Sequence, residues 1–185
     1  HGAEVAKKDS RGLDYVVGYD FAGESRTLRH FCAHAFIIAC HGAPQWREQM
    51  STVARGHADL GTDSVFFDQT GYHMIAWPCY DQSHEHAERI GQEAALRGKT
   101  LEAIRSAAGG ATVGSEGMAD CLVPHIDFHH GWGFAFQREN EAFPALFRST
   151  FPEPVVSNRL LHDERFGWQD QLNYAFAHNL IFDVQ

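Results

Sequence analysis

Apolar and polar residues along this chain fall into two recurring patterns, one of helical period and one of short apolar runs. From Pro44 to Leu60 the positions Trp46, Met50, Val53, His57 and Leu60 recur at helical spacing, and Gly61 is placed to close the helix. The run Ser64-Val-Phe-Phe67 follows, ending at Asp68-Gln69 and a turn at Gly71. Ser83 then reads as the N-cap of a second helix, with Glu85 and Glu88 in its first turn. That helix carries Ala87, Ile90, Ala94, Leu101, Ile104 and Ala108 on or near one face, and Gly109-Gly110 ends it. Ala111-Thr-Val-Gly114 is a second short strand, running into Ser115-Glu116-Gly117. A third unit is expected as a strand from Ala145 to Phe151, a helix from Gly167 to His178 and a strand from Leu180 to Val184. One or two earlier strands are expected from Tyr15 to Tyr19 and from Phe31 to Cys40. Helices alternating with short, fully apolar strands mark a parallel sheet. Its crossovers give either a barrel or a doubly wound sheet.

Composition narrows the function more than the fold. The 185 residues carry 15 basic and 24 acidic side chains, a formal charge of -9. That balance argues against binding to a nucleic-acid backbone and against adhesion to anionic membranes. No window approaches the roughly 18 uninterrupted apolar residues of a membrane helix, so no membrane insertion is expected. At 44% hydrophobic and 21% charged, the chain has the makings of a packed core. Thirteen histidines and 12% aromatics leave room for a metal or a ligand site. Cys32, Cys40, Cys79 and Cys121 form no C-x-x-C pair, which argues against a zinc ribbon and for free thiols. The ends, His1-Gly2-Ala3 and Leu180 to Gln185, read as a segment taken from a longer chain.

Chemistry favours the barrel. Neither a G-x-G-x-x-G loop nor a G-x-x-x-x-G-K-[ST] loop is present, so no nucleotide cofactor is indicated. Instead, successive strands each end in a carboxylate, Asp68 after Phe67 and Glu116 after Ser115. In a (β/α)8 barrel the C-terminal strand ends share one mouth, where catalysis sits. Adjacent strands lie about 4.8 Å apart. Two such carboxylates would therefore approach to roughly 5 to 6 Å, the separation used by retaining glycosidases. An acid ending a strand more often caps a helix or binds a loop amide. The pair at equivalent points of consecutive units is what favours catalysis.

The run Leu60-Gly-Thr-Asp-Ser-Val-Phe-Phe-Asp-Gln69 resembles the aspartate-ending strand of TIM-barrel glycoside hydrolases of the large retaining superfamily. Cys40-His-Gly-Ala-Pro-Gln-Trp46, His84-Glu-His86 and Gly114-Ser-Glu-Gly-Met-Ala-Asp120 extend the likeness. The group it most resembles is a bacterial glycoside-hydrolase-like family related to endo-α-N-acetylgalactosaminidases. In the related families an aspartate ending the fourth strand is the nucleophile and a glutamate ending the fifth is the acid/base. The resemblance thus implies Asp68 as nucleophile and Glu116 as acid/base. It also implies an α-linked, galactose-type sugar. A full barrel needs about 250 residues. The expectation is therefore a single catalytic domain over residues 1–185 that holds the middle and late strands of an incomplete barrel.

A retaining mechanism asks that Asp68 stay ionised among donors, for which Gln69, Tyr72 and His73 are the candidates from its own loop. Glu116 must hold a proton until the leaving oxygen takes it. Sugar faces pack on aromatic rings, and Trp77, Trp132 and Tyr72 are the candidate platforms. Trp77, beside Pro78, reads equally well as loop packing. Asp120 is a candidate for sugar hydroxyls, as is Asp127, although loop acids of this kind are more often only solvated. The expected partner is an oligosaccharide or glycoside, and no cofactor is called for. Two alternatives compete. A metal-dependent hydrolase would use His84-x-His86 with His125 and His129 of the run His125-x-Asp127-x-His129-His130. A non-catalytic carbohydrate-binding protein would need the aromatics without the carboxylate pair. No G-x-S-x-G elbow supports a serine hydrolase.

Overall fold

The computed structural model describes residues 28–31, 34–37, 39–68, 70–71, 83–117, 119–131, 144–158 and 167–182. Two compact units divide the chain, His1–Gly61 with Met74–Gly110, and Thr62–His73 with Ala111–Gln185.

In the first unit, strands β1 (Leu28–Phe31) and β2 (His34–Ile37) pair antiparallel as a separate two-stranded sheet. The expected early strands are therefore not further members of the parallel sheet, because a two-residue link permits only an antiparallel return. Tyr15 to Tyr19 lies outside the described residues. Helix α1 (Pro44–Asp59) begins with proline at its first turn, where the missing N–H costs nothing, and Gly61 follows it at φ +75°. The helix lies where its spacing predicts, but the buried face is turned. Trp46, Ser51 and Ala54 are buried, whereas Val53 is 38% and Leu60 79% exposed. Trp46 of the stripe stays in the core, while the later part of the buried face is carried by the small Ser51 and Ala54.

Helix α2 (Ile90–Ala107) packs against α1. It starts later than Ser83 would have it. Arg89 is the N-cap, and Gln92 Oε1 accepts the backbone N–H groups of Glu88 and Arg89 at 2.8 and 3.1 Å. That side chain reaches back from the first turn to the N–H groups just ahead of the helix, the N3 half of a capping box. His84 and His86 thus precede the helix instead of opening it. The C-terminal signal holds, with Gly109 and Gly110 at φ +64° and +97°. Leu101, Ile104 and Ala108 are buried as the pattern predicts.

The second unit is built on five parallel strands in the order β3 (Ser64–Phe67), β4 (Thr112–Glu116), β5 (Phe128–Gly131), β6 (Val155–Asn158) and β7 (Ile181–Phe182). Each strand pairs with its successor, so the order advances in one direction without the reversal of a doubly wound sheet. Two expectations are corrected. The stretch from Ala145 expected as a strand is helical up to Thr150, α3 (Pro144–Thr150), again with proline in the first turn. The strand comes after Pro152 and Pro154, where Val155-Val156 supplies the β-branched pair. Residues 128–131, expected as loop, form β5. Only a 3-10 helix, Asp120–His125, links β4 to it. Helix α4 (Trp168–Ala177) and β7 fall where expected.

Candidate active site at the C-terminal strand ends

Parallel pairing brings the two carboxylate positions to one edge of the sheet. Phe67 is in register with Ser115, so Asp68 stands one step on, level with Glu116. Glu116 is the last residue of β4 and only 2% exposed, whereas Asp68 is exposed in the turn that leaves β3. Adjacent strand ends lie about 4.8 Å apart.

Ser115 ties that turn to β4. Its fully buried hydroxyl donates to the Phe67 carbonyl at 2.9 Å and accepts the Gly71 N–H at 2.5 Å. Gly71 has no room for a side chain, because a Cβ there would stand 2.8 Å from the Glu116 carbonyl oxygen. Glycine at this turn therefore lets the loop bearing Asp68 close directly on the strand bearing Glu116.

Register extends the row across the sheet. Glu116 pairs with His130, and His130 with Ser157. Strand alternation puts Phe67, Ser115, His129 and Val156 on one face, all buried. Phe66, Gly114, Phe128, Glu116, His130 and Ser157 lie on the other. There the Phe66 ring stacks on Phe128 with centroids 6.2 Å apart and meets the His130 ring edge-on at 5.5 Å. Phe128 fills the space over Gly114, where a Cβ would fall 2.0 Å from its ring. His130 Nδ1 and Ser157 Oγ are 2.7 Å apart. Phe66 and Ser157 do not stand out as site residues in the sequence, and His130 enters there only among the histidines considered for a metal. The missing signal is β5 itself, whose Phe-His-His-Gly has no apolar run to mark it.

Other candidates fall elsewhere. Asp120 is exposed at the start of the 3-10 helix, and its Oδ1 accepts the Cys121 N–H at 2.7 Å. Asp127 sits at the opposite, N-terminal end of the sheet. There its Oδ2 accepts the Val113 N–H at 2.8 Å, and its carbonyl takes the Val155 N–H. It closes the ladder and does not reach the carboxylate end. Gln69, Tyr72, His73, Trp77 and Trp132 lie outside the described residues.

The histidines considered for a metal divide between the units, His84 and His86 in the first and His125 and His129 in the second. Among the described residues no three His, Cys, Asp or Glu side chains converge to hold a metal ion. His129 is fully buried in β5, with Nδ1 3.2 Å from the Gly117 carbonyl. Burial lowers its pKa, and the bond to Gly117 opposes that only in part. It is a core histidine held neutral. In the first unit, His41 is lowered further by burial and by the Arg97 and Arg47 guanidiniums. Cys40 is half-buried and Cys121 exposed.

Comparisons with other proteins agree with this architecture. A family model described as Domain of unknown function (DUF6259) matches residues 8–154. No curated protein sequence matches the chain. Among solved structures, the α-galactosidase from Thermus thermophilus in complex with stachyose is similar at a TM-score of 0.61 and 18% identity. The match covers 96% of this chain and 42% of that one. The same enzyme in complex with p-nitrophenyl α-D-galactopyranoside gives a TM-score of 0.60 at 17% identity, over 94% and 39% of the two chains. The likeness is one of fold, and the chain spans less than half the length of that enzyme.

Proposed function

The chain belongs to the family described as Domain of unknown function (DUF6259), and from that premise we propose that it is a glycoside hydrolase acting with retention on an α-galactoside-type bond. The observation that carries this reading is the pairing of Asp68 and Glu116 at the C-terminal ends of neighbouring parallel strands. The similarity in fold to an α-galactosidase supports the substrate class. An incomplete TIM barrel, related to that of endo-α-N-acetylgalactosaminidases, is the architecture we propose around the five-stranded sheet.

In the proposed reaction the Asp68 carboxylate attacks the anomeric carbon while Glu116 passes its proton to the departing oxygen. The glycosidic C–O bond breaks as the glycosyl ester to Asp68 forms. Glu116, now ionised, takes a proton from water, and the resulting attack on the anomeric carbon frees the sugar and restores Asp68. The roles match the surroundings. Asp68 is open to an incoming sugar, and Glu116 is enclosed at the end of β4.

A panel of aryl glycosides tests the activity, and trapping with a 2-deoxy-2-fluoro sugar followed by mass spectrometry of the labelled peptide tests the mechanism. Label on the Asp68 peptide supports the reading. Hydrolysis with inversion overturns it, and sugar binding without turnover would favour a carbohydrate-binding protein.

A further inference from the structure

We propose that His130, braced by Ser157, is a third working residue of this site, a group that hydrogen-bonds the sugar beside Glu116. The inference rests on the glycosidase reading above and adds to it a residue that neither the carboxylate pattern nor the family match assigns.

Three observations carry it. First, His130 is the register partner of Glu116 on the neighbouring strand, one strand spacing away at the same end of the sheet. Alternation gives both side chains the same face, which the Phe66, Phe128 and His130 ring contacts mark out. Second, the imidazole is oriented from two directions. Ser157 Oγ stands 2.7 Å from Nδ1, and Phe66 meets the ring edge-on at 5.5 Å. A hydrogen bond at one ring nitrogen sets both the tautomer and the aim of the other. Such bracing is what a substrate-positioning group needs, since a small misplacement at a reacting centre costs rate steeply. Third, the contrast with its neighbour in sequence is sharp. His129 is fully buried on the opposite face and bonded to the Gly117 carbonyl, a core position, whereas His130 is only half-buried. Of two adjacent histidines, the strand pleat sends one to the core and the other to the carboxylate row. Ser157 acts through His130 and is a positioning residue.

The test is steady-state kinetics of the full chain on the p-nitrophenyl glycoside that the wild type cleaves best in the panel and on its 2,4-dinitrophenyl counterpart. His130→Ala should lower kcat/KM by about ten- to hundredfold on both substrates alike, because the lost bond is to the sugar and not to the leaving group. His130→Gln, which keeps a donor and an acceptor, should recover part of the loss, and it carries the test if the alanine variant does not fold. Ser157→Ala should fall between wild type and His130→Ala. A Glu116→Gln control should behave differently, its defect shrinking with the better leaving group. If both His130 variants stay within about twofold of wild type, or if their defect also shrinks with the better leaving group, the sugar contact is overturned while the glycosidase reading stands. If the wild type cleaves no member of the panel, the glycosidase reading itself fails and takes this inference with it.

Discussion

Single residues here do work that their identity only partly announces. Asp68 and Glu116 are legible in the sequence because each closes a short apolar run. On the proposed mechanism, Asp68→Asn and Glu116→Gln should each abolish turnover of unactivated glycosides while leaving the circular-dichroism spectrum and urea midpoint near wild type. Near-normal activity in either variant removes that residue from its role. Ser115 was legible only as the residue before Glu116. Its hydroxyl nonetheless bridges the Phe67 carbonyl and the Gly71 N–H, fastening the Asp68 turn to β4. Ser115→Ala leaves the Gly71 N–H without that acceptor, which should cost about 1–3 kcal/mol. It should also slow turnover by loosening the turn. Unchanged stability and unchanged kcat together would show that the bridge positions nothing. In the sequence His130 suggests only a metal ligand, because a histidine pair looks the same in a loop, a metal site or a strand.

At the scale of elements, strong local signals held and weak ones yielded to context. Helices α1 and α2 are visible through their period and their glycine stops, and α4 lies within the stretch from Gly167 to His178 expected as helix. Residues 145–151 mislead because a run such as Ala-Leu-Phe fits either period, and Pro144 at the first turn decides for helix. The start of α2 falls not at Ser83 but at Arg89, where Gln92 reaches back from the first turn to the Glu88 and Arg89 N–H groups. Strand β5 carries two histidines and a glycine, so its place depends on neighbours that supply hydrogen bonds on both sides. Asp127 shows the same dependence. In the sequence it looks like a loop acid, yet it ties the beginnings of β4, β5 and β6 together. Asp127→Ala should therefore destabilise the second unit by about 1–3 kcal/mol. Asp127→Asn, which keeps an oxygen acceptor, should retain most of the stability. Equal urea midpoints for Asp127→Ala and wild type would exclude a role for this side chain in the ladder.

For the whole molecule, the buried histidines set a pH dependence of stability. Burial lowers the pKa of His129 from 6.5, so the unfolded chain binds a proton that the folded chain refuses. Its contribution is fully present above about pH 6.5 and is lost as the pH falls from there toward the lowered folded value. His41, lowered by burial and by Arg97 and Arg47, acts in the same direction. Urea midpoints should thus fall between about pH 7.5 and about pH 5.5. His129→Phe should give a shallower slope whatever its absolute stability, and a slope equal to wild type would remove His129 from the account. By itself, the amino-acid sequence determined the alternation of helix and strand, the turns that need glycine and the two acids that end strands. These are local matters of period, cap and backbone freedom. The one-way order of the sheet, the second face of α1, the existence of β5 and the row Glu116, His130 and Ser157 were decided only in the tertiary structure. Each of them depends on which strand or helix lies alongside, and residues far apart in the chain meet only through that pairing.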